Sequence, residues 1–211
     1  MIWLALDTTG PACSAAFARG DTVLACASEV IGRGHAERLA PMVEALRREA
    51  GLDWSDLDAI AVTRGPGSFT GLRVGLAFGR GIALATGVPV HGVTTFDAFA
   101  AAEPTRPLAI VIDAKRGELF HQLFDIDDAR VEPAAAATGD ITLAPYVTLT
   151  GSGAALVAKG HTILSDAASP PIEGVLAAAM AQGAPHPATP LYLRAPDARP
   201  QPGTTLQAEP A

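Results

Sequence analysis

Thirteen consecutive residues constrain this chain most: Thr63-Arg64-Gly65-Pro66-Gly67-Ser68-Phe69-Thr70-Gly71-Leu72-Arg73-Val74-Gly75. The apolar run Ala59-Ile60-Ala61-Val62 before them reads as a buried strand. The segment from Phe69 to Thr86 contains no proline and reads as a helix. Gly65-Pro66-Gly67 makes a rigid turn between the two, because glycine tolerates positive φ and proline fixes its own. Ser68 suits the N-cap, where its hydroxyl accepts from a freed amide of the first turn. Such a glycine-rich turn either cradles an anion at the helix start or serves as plain strand-to-helix geometry.

The helix that follows carries Gly71, Gly75 and Gly79 at four-residue spacing, with Ala83 next in the series. Residues at i and i+4 share one face. Each glycine costs about 1 kcal/mol relative to alanine, so three cost about 3 kcal/mol. A smooth face of this kind admits another backbone closely. The neighbour is either an internal strand layer or a partner subunit. Arg73 and Arg80, seven apart, lie on a different, polar face.

Around this centre the pattern alternates strands and helices. Ile2–Leu6, Ala12–Ala18 and Thr22–Ser28 read as strands, with Arg19-Gly20-Asp21 as a hairpin turn. His35 to Ala50 is helical, with Leu39, Met42, Val43, Leu46 and Ala50 as its apolar stripe and Gly51 as its stop. A short strand is expected at Val88–Val90 and a helix from Phe96 to Ala102. Glu103-Pro104-Thr105-Arg106-Pro107 looks like a boundary. Leu108–Asp113 and Glu118–Phe124 then repeat the opening plan of a strand ending in aspartate, a turn and a second strand. Val147–Thr150, a small helix from Ala154 and a helix from Ile172 to Ala181 follow. The expected division is 1–104, 105–195 and a disordered tail over 196–211.

Arg64-Gly65-Pro66-Gly67-Ser68-Phe69-Thr70-Gly71-Leu72-Arg73 resembles the signature of the TsaB (YeaZ) family. Leu6-Asp7-Thr8-Thr9, Asp113-Ala114-Lys115-Arg116-Gly117-Glu118 and Leu191-Tyr192-Leu193-Arg194 match further family pieces, in the family's order and across nearly the whole chain. The resemblance implies an α/β, actin-like (ASKHA, RNase H-like) fold of two related lobes. It implies a part in making threonylcarbamoyladenosine on tRNA as the non-catalytic partner of the related catalytic subunit TsaD, alongside a TsaE-type ATPase, with ATP or ADP at the subunit boundary. By that resemblance Asp7, Thr8 and Thr9, with the glycine loop Gly151-Ser152-Gly153, are candidate nucleotide contacts. For Asp7 the alternative is a turn cap formed by its side chain. Partner binding, to TsaD or to a second copy, is expected on the two N-terminal helices. The residues named for it are His35, Leu39, Met42, Leu72, Arg73, Gly75, Leu76, Gly79 and Arg80. Leu39, Met42, Leu72 and Leu76 are expected to be partly exposed in the lone chain.

Two rival readings are a small ASKHA kinase or nucleotide hydrolase, and a glycoprotease. The kinase would need phosphate turns, but Lys115 and Arg116 follow Asp113 where small residues are usual. TsaD carries a His-x-x-x-His metal pair that aligns with Thr95 and Phe99; phenylalanine offers no ligand atom and threonine no imidazole. The five histidines show no His-Glu-x-x-His spacing. A net charge of −7 argues against binding nucleic acid by bulk electrostatics, so a partner is expected to supply most of the basic surface for tRNA. Cys13 and Cys26 make no disulfide framework and are expected in the core. Met1 to Leu6 lacks a basic leader and reads as a strand. Pro145, Gly151 and Gly153 interrupt the uncharged run Ile141–Ala158, so no membrane span is expected. The expected compartment is the cytoplasm.

Overall fold

The computed structural model describes residues 1–194; the expected tail over 196–211 lies outside them. Two five-stranded sheets form the frame. The first has the order β3-β2-β1-β4-β5, from β1 (Ile2–Asp7), β2 (Ala12–Arg19), β3 (Thr22–Val30), β4 (Ala59–Thr63) and β5 (Val90–Val93). The second has the order β10-β9-β6-β7-β8, from β6 (Leu108–Lys115), β7 (Glu118–Phe124), β8 (Ala134–Ala137), β9 (Thr148–Thr150) and β10 (Ile163–Ser165). In each sheet the first three strands in sequence pair antiparallel, and the last two add in parallel beside the first. The two halves therefore share one topology, in line with the faint echo of Asp7 and Asp113 in the sequence.

Strand periodicity distributes the core over layers. On β1, Ile2, Leu4 and Leu6 face one side and Trp3 and Ala5 the other. The large residues meet α1 (His35–Glu49) and α2 (Phe69–Thr86). The small ones, Ala5, Ala16, Ala18, Ala59 and Ala61, admit α5 (Ile172–Met180), which rests on α3 (Thr95–Ala102). A β-carbon on Gly174 would stand 3.0 Å from the Ala102 methyl and nearer still to the Ala98 carbonyl oxygen, so α3 and α5 need glycine there. Phe96 and Phe99 of α3 turn the other way and pack on Leu108, Ile110 and Phe120 of the second sheet. α4 (Ala154–Val157) closes the far face with Val111, Leu119 and Leu149. The order of layers is α1 and α2, first sheet, α3 and α5, second sheet, α4. The last helix thus returns from the second half to the first sheet.

α2 spans the expected residues, and Ser68 caps it by accepting from Gly71 N at 3.3 Å. The strand expected at Val88–Val90 sits later, at Val90–Val93, because parallel pairing with Ile60–Thr63 sets its register. Cys13 is buried, but Cys26 is exposed on edge strand β3, which corrects the placement of both in the core.

Candidate functional site

The turn after β1 and the start of α2 meet at the carboxyl ends of β1 and β4. Asp7 is fully buried there. Its Oδ1 accepts from Thr9 Oγ1 at 2.6 Å, Thr63 Oγ1 at 2.6 Å and Thr9 N at 3.2 Å. Its Oδ2 is buried and has no partner among the described residues. Burial pushes the Asp7 carboxyl above its ordinary range, against the lowering pull of the Thr63 and Thr9 hydrogen bonds. A shared acceptor for three donors is a structural knot, and the turn-cap alternative describes it.

α2 lies directly on this turn. Thr8 Oγ1 donates to Gly71 O at 2.7 Å, and Ser68 N donates to Thr9 O at 2.7 Å. A β-carbon on Gly75 would stand 2.5 Å from Thr8 Oγ1, and one on Gly71 would press closer still on the Thr8 carbonyl oxygen. Gly79 faces Leu6, Ile60 and Val62 of the sheet. The glycine stripe therefore serves an internal neighbour, the β1–β2 turn and the strands beneath. The turn Gly65-Pro66-Gly67 is fastened from α3, with Thr95 N donating to Gly65 O and Thr95 Oγ1 to Pro66 O, both at 2.8 Å.

The other side of the turn is also filled. Ala12 N donates to Ser169 Oγ at 3.2 Å, and Ala168 and Ser169 press on Gly10 so closely that a β-carbon has no room. Thr8 and Thr9 are buried with Asp7. The Thr8 and Thr9 hydroxyls are thus bonded to Gly71 O and Asp7 Oδ1, whereas Asp7 Oδ2 keeps no partner among the described residues. The loop of Gly151 and Gly153 is held by the second sheet. Gly151 N donates to Ser165 O and Gly153 N to Val111 O, both at 2.9 Å. At each glycine a β-carbon would collide with β6.

The expected partial exposure of Leu39, Met42, Leu72 and Leu76 is corrected. Leu39, Met42, Leu72 and Leu76 are 1%, 2%, 1% and 2% exposed, in one cluster with Leu4, Leu6, Ile60 and Val62. Their stripe is the underside of α1 and α2. His35 is buried, its Nε2 3.3 Å from Ala12 O. Of the residues expected at the interface, only Arg73 and Arg80 reach the surface. What spacing did not reveal is the outer side of α2: Ala77, Gly81, Leu84 and Ala85 are exposed beside half-buried Val74, Phe78 and Ile82. Leu84 is 90% exposed. A mean hydropathy count over α2 would have found more apolar residues than one face can bury.

Thr95 and Phe99 are both buried, Thr95 bonded to Pro66 and Phe99 packed in the core between the sheets. Among the described residues no three His, Cys, Asp or Glu side chains gather as a metal site. No helix among them is long and apolar enough to cross a membrane. A cavity of about 230 Å³ lies apart from the Asp7 turn, lined by Ile141, Leu143, Val157, Lys159 and His161.

Residues 27–157 match the family described as TsaD, tRNA N6-adenosine threonylcarbamoyltransferase. A solved structure titled YeaZ from Pseudomonas aeruginosa superposes with a TM-score of 0.79 at 29% identity, over 91% of this chain and 99% of that one. The Escherichia coli tRNA threonylcarbamoyladenosine biosynthesis protein TsaB is 38% identical over 59% of this chain and 55% of its own. The chain belongs to the TsaD family, in its TsaB (YeaZ) branch. An uncharacterized Mycobacterium tuberculosis protein, 37% identical over 93% of both chains, extends the likeness to nearly full length. The fold is the ASKHA fold; nucleotide-bound and related proteins at 11% identity share that architecture alone.

Proposed function

We propose that this TsaB-branch chain is a non-catalytic accessory subunit in threonylcarbamoyladenosine modification of tRNA, binding and activating a TsaD-type catalytic subunit. The observation that carries this reading is the pairing of family membership with the fate of the metal-ligand positions. Thr95 is committed to the glycine turn and Phe99 to the core, so neither position holds an imidazole. The bonding of the Thr8 and Thr9 hydroxyls within the chain supports the same reading against a kinase.

The docking face is the outer side of α2 with the adjoining surface of α1. Exposed Ala77, Gly81, Leu84 and Ala85 are apolar and most are small enough to let a second helix approach, with exposed Arg80 among them bonded to Ala188 O. Through that partner the chain joins a TsaE-type ATPase and tRNA, in the cytoplasm; the same face pairs two copies when the catalytic subunit is absent. Any ATP or ADP then lies at the boundary between subunits rather than in this chain's own turn.

Reconstitution tests the reading: threonylcarbamoyl transfer to tRNA is assayed with the catalytic subunit and ATPase, with this chain added or withheld. Ala77→Glu and Leu84→Glu change exposed side chains only. Transfer should require the chain, and the double variant should lose both the complex on a sizing column and the activity while keeping its unfolding midpoint. Transfer that proceeds equally without the chain would sink the proposal.

A further inference from the structure

The segment His186–Arg194 runs along the rim from β5 to the second sheet. His186 O accepts from Gly92 N at 2.9 Å, and Leu191 N donates to Arg64 O at 2.7 Å. Arg194 Nη2 donates to Ala114 O at 3.1 Å and pairs with Glu118. This strap carries Tyr192 onto the start of α2. Tyr192 and Phe69 have ring centroids 5.5 Å apart, and the Arg73 guanidinium lies 3.7 Å over the Phe69 ring. Arg73 Nε donates to the Tyr192 hydroxyl at 3.1 Å, which fixes the guanidinium in place. Phe69 is 54% and Tyr192 47% exposed, and Arg73 is exposed.

The internal turn does not explain why two large rings and a stacked cation stand in solvent. Arg64, whose buried Nε has no partner among the described residues, adjoins the strap through its carbonyl, which accepts from Leu191 N; Lys115 and Arg194 at the other end are paired with Asp113 and Glu118. Arg73 itself is held by a ring and a hydroxyl rather than by a carboxylate. A planar cation held over a ring, with its outer face open, presents a surface on which a further flat ring can stack. Aromatic side chains interleaved with cations suit unpaired nucleotides, whose bases stack while phosphates meet the positive groups.

We infer that the Phe69–Arg73–Tyr192 stack, with Arg64 beside it, is a docking surface for unpaired RNA nucleotides. A base lies on the Arg73 plane against Tyr192, and the adjacent phosphates face Arg64. The choice of RNA among polyanions rests on the proposed role in tRNA modification; the stacking geometry does not.

The test is fluorescence anisotropy of the full chain with a labelled unpaired RNA 12-mer at low salt, with the matched duplex and a polyglutamate peptide as competitors. The variants are Arg73→Lys, which keeps the charge but loses the plane, and Tyr192→Ala. Loss of one stacking partner should weaken binding about tenfold, unlabelled single strand should compete better than duplex, and the unfolding midpoints should stay near wild type. Absence of binding by the wild type, or equal affinity in the variants, overturns the inference. Polyglutamate competing as well as RNA also overturns it, in favour of an acidic protein partner. If the reconstituted transfer requires the chain while the variants bind RNA like wild type, the RNA surface falls and the accessory role stands. If the variants lose RNA binding but transfer never needs the chain, the reverse holds.

Discussion

Alanine substituted along one helix separates the packing role of the α2 glycines from their propensity cost. Gly81 has open space where a β-carbon would stand, so Gly81→Ala should stabilise by about 1 kcal/mol, the helix-propensity difference. At Gly79 the added carbon meets Leu6 Cδ1 at 3.4 Å and Ile60 and Val62 beyond, ordinary apolar contacts. Most of the same gain should survive. At Gly75 the new carbon stands 2.5 Å from Thr8 Oγ1, the hydroxyl that donates to Gly71 O. Losing that buried bond costs about 1–3 kcal/mol and the crowding about 1–3 kcal/mol more, so the net effect is destabilising despite the propensity gain. Gly71→Ala is worse, because the obstacle is the Thr8 backbone, and α2 must lift from the sheet. Between the Gly81 and Gly71 variants we expect a spread of about 4 kcal/mol, or about 8–16 °C in Tm for a chain of this size. Urea unfolding, with the slope checked for constancy, reads the series. Gly71→Ala within about 1 kcal/mol of Gly81→Ala would show that the glycine stripe is not the seat of the turn, since even the smallest overpacking cost should exceed that.

Three further outcomes are expected. The Asp7 carboxyl is pushed up by burial from an ordinary value of 3.8, so its ionisation opposes folding: stability should fall as pH rises from about 3.8 through the folded value, by up to about 1.4 kcal/mol per pH unit. Asp7→Asn should remove that slope, and unfolding midpoints of both proteins from pH 4 to 8 showing the same slope would refute it. Cys13 is buried and its thiol is pushed up to about 11, chiefly by desolvation, whereas Cys26 is exposed. A thiol reagent should therefore label one cysteine in the native chain and both in denaturant; two fast equivalents in the native chain would contradict the burial. Leu72→Glu with Leu76→Glu places two carboxylates in the core cluster and should prevent folding rather than merely uncouple a partner; a well-folded double variant by circular dichroism would overturn that placement.

The elements were legible in the sequence because their signals are local. The proline-free run after Ser68 and the alternating residues of β1 each declare a period within a few residues. The depth of each face was not legible. An apolar stripe looks the same whether it meets a sheet or a partner, and only the close approach of Gly71 and Gly75 to Thr8 decides it for α2. β8 is four alanines, a composition with no strand preference, and it forms because β7 offers an edge. Tyr192 meets Arg73 across 119 positions, and no window spans that. Asp7, Thr8 and Thr9 are buried against α2 and close to Ser169, neighbours far away in sequence that no local pattern announces.

The return of α5 to the first sheet has a consequence for synthesis. While the ribosome extends the chain, β1 to β5 can form with α1 and α2, but the opposite face of that sheet, with Trp3 and its row of alanines, waits for residues 172–180. The second sheet must be made before the first is covered. The amino-terminal half is thus a nascent intermediate with a bare apolar face, and a gene fragment ending near residue 104 should yield a sticky product rather than a separable lobe.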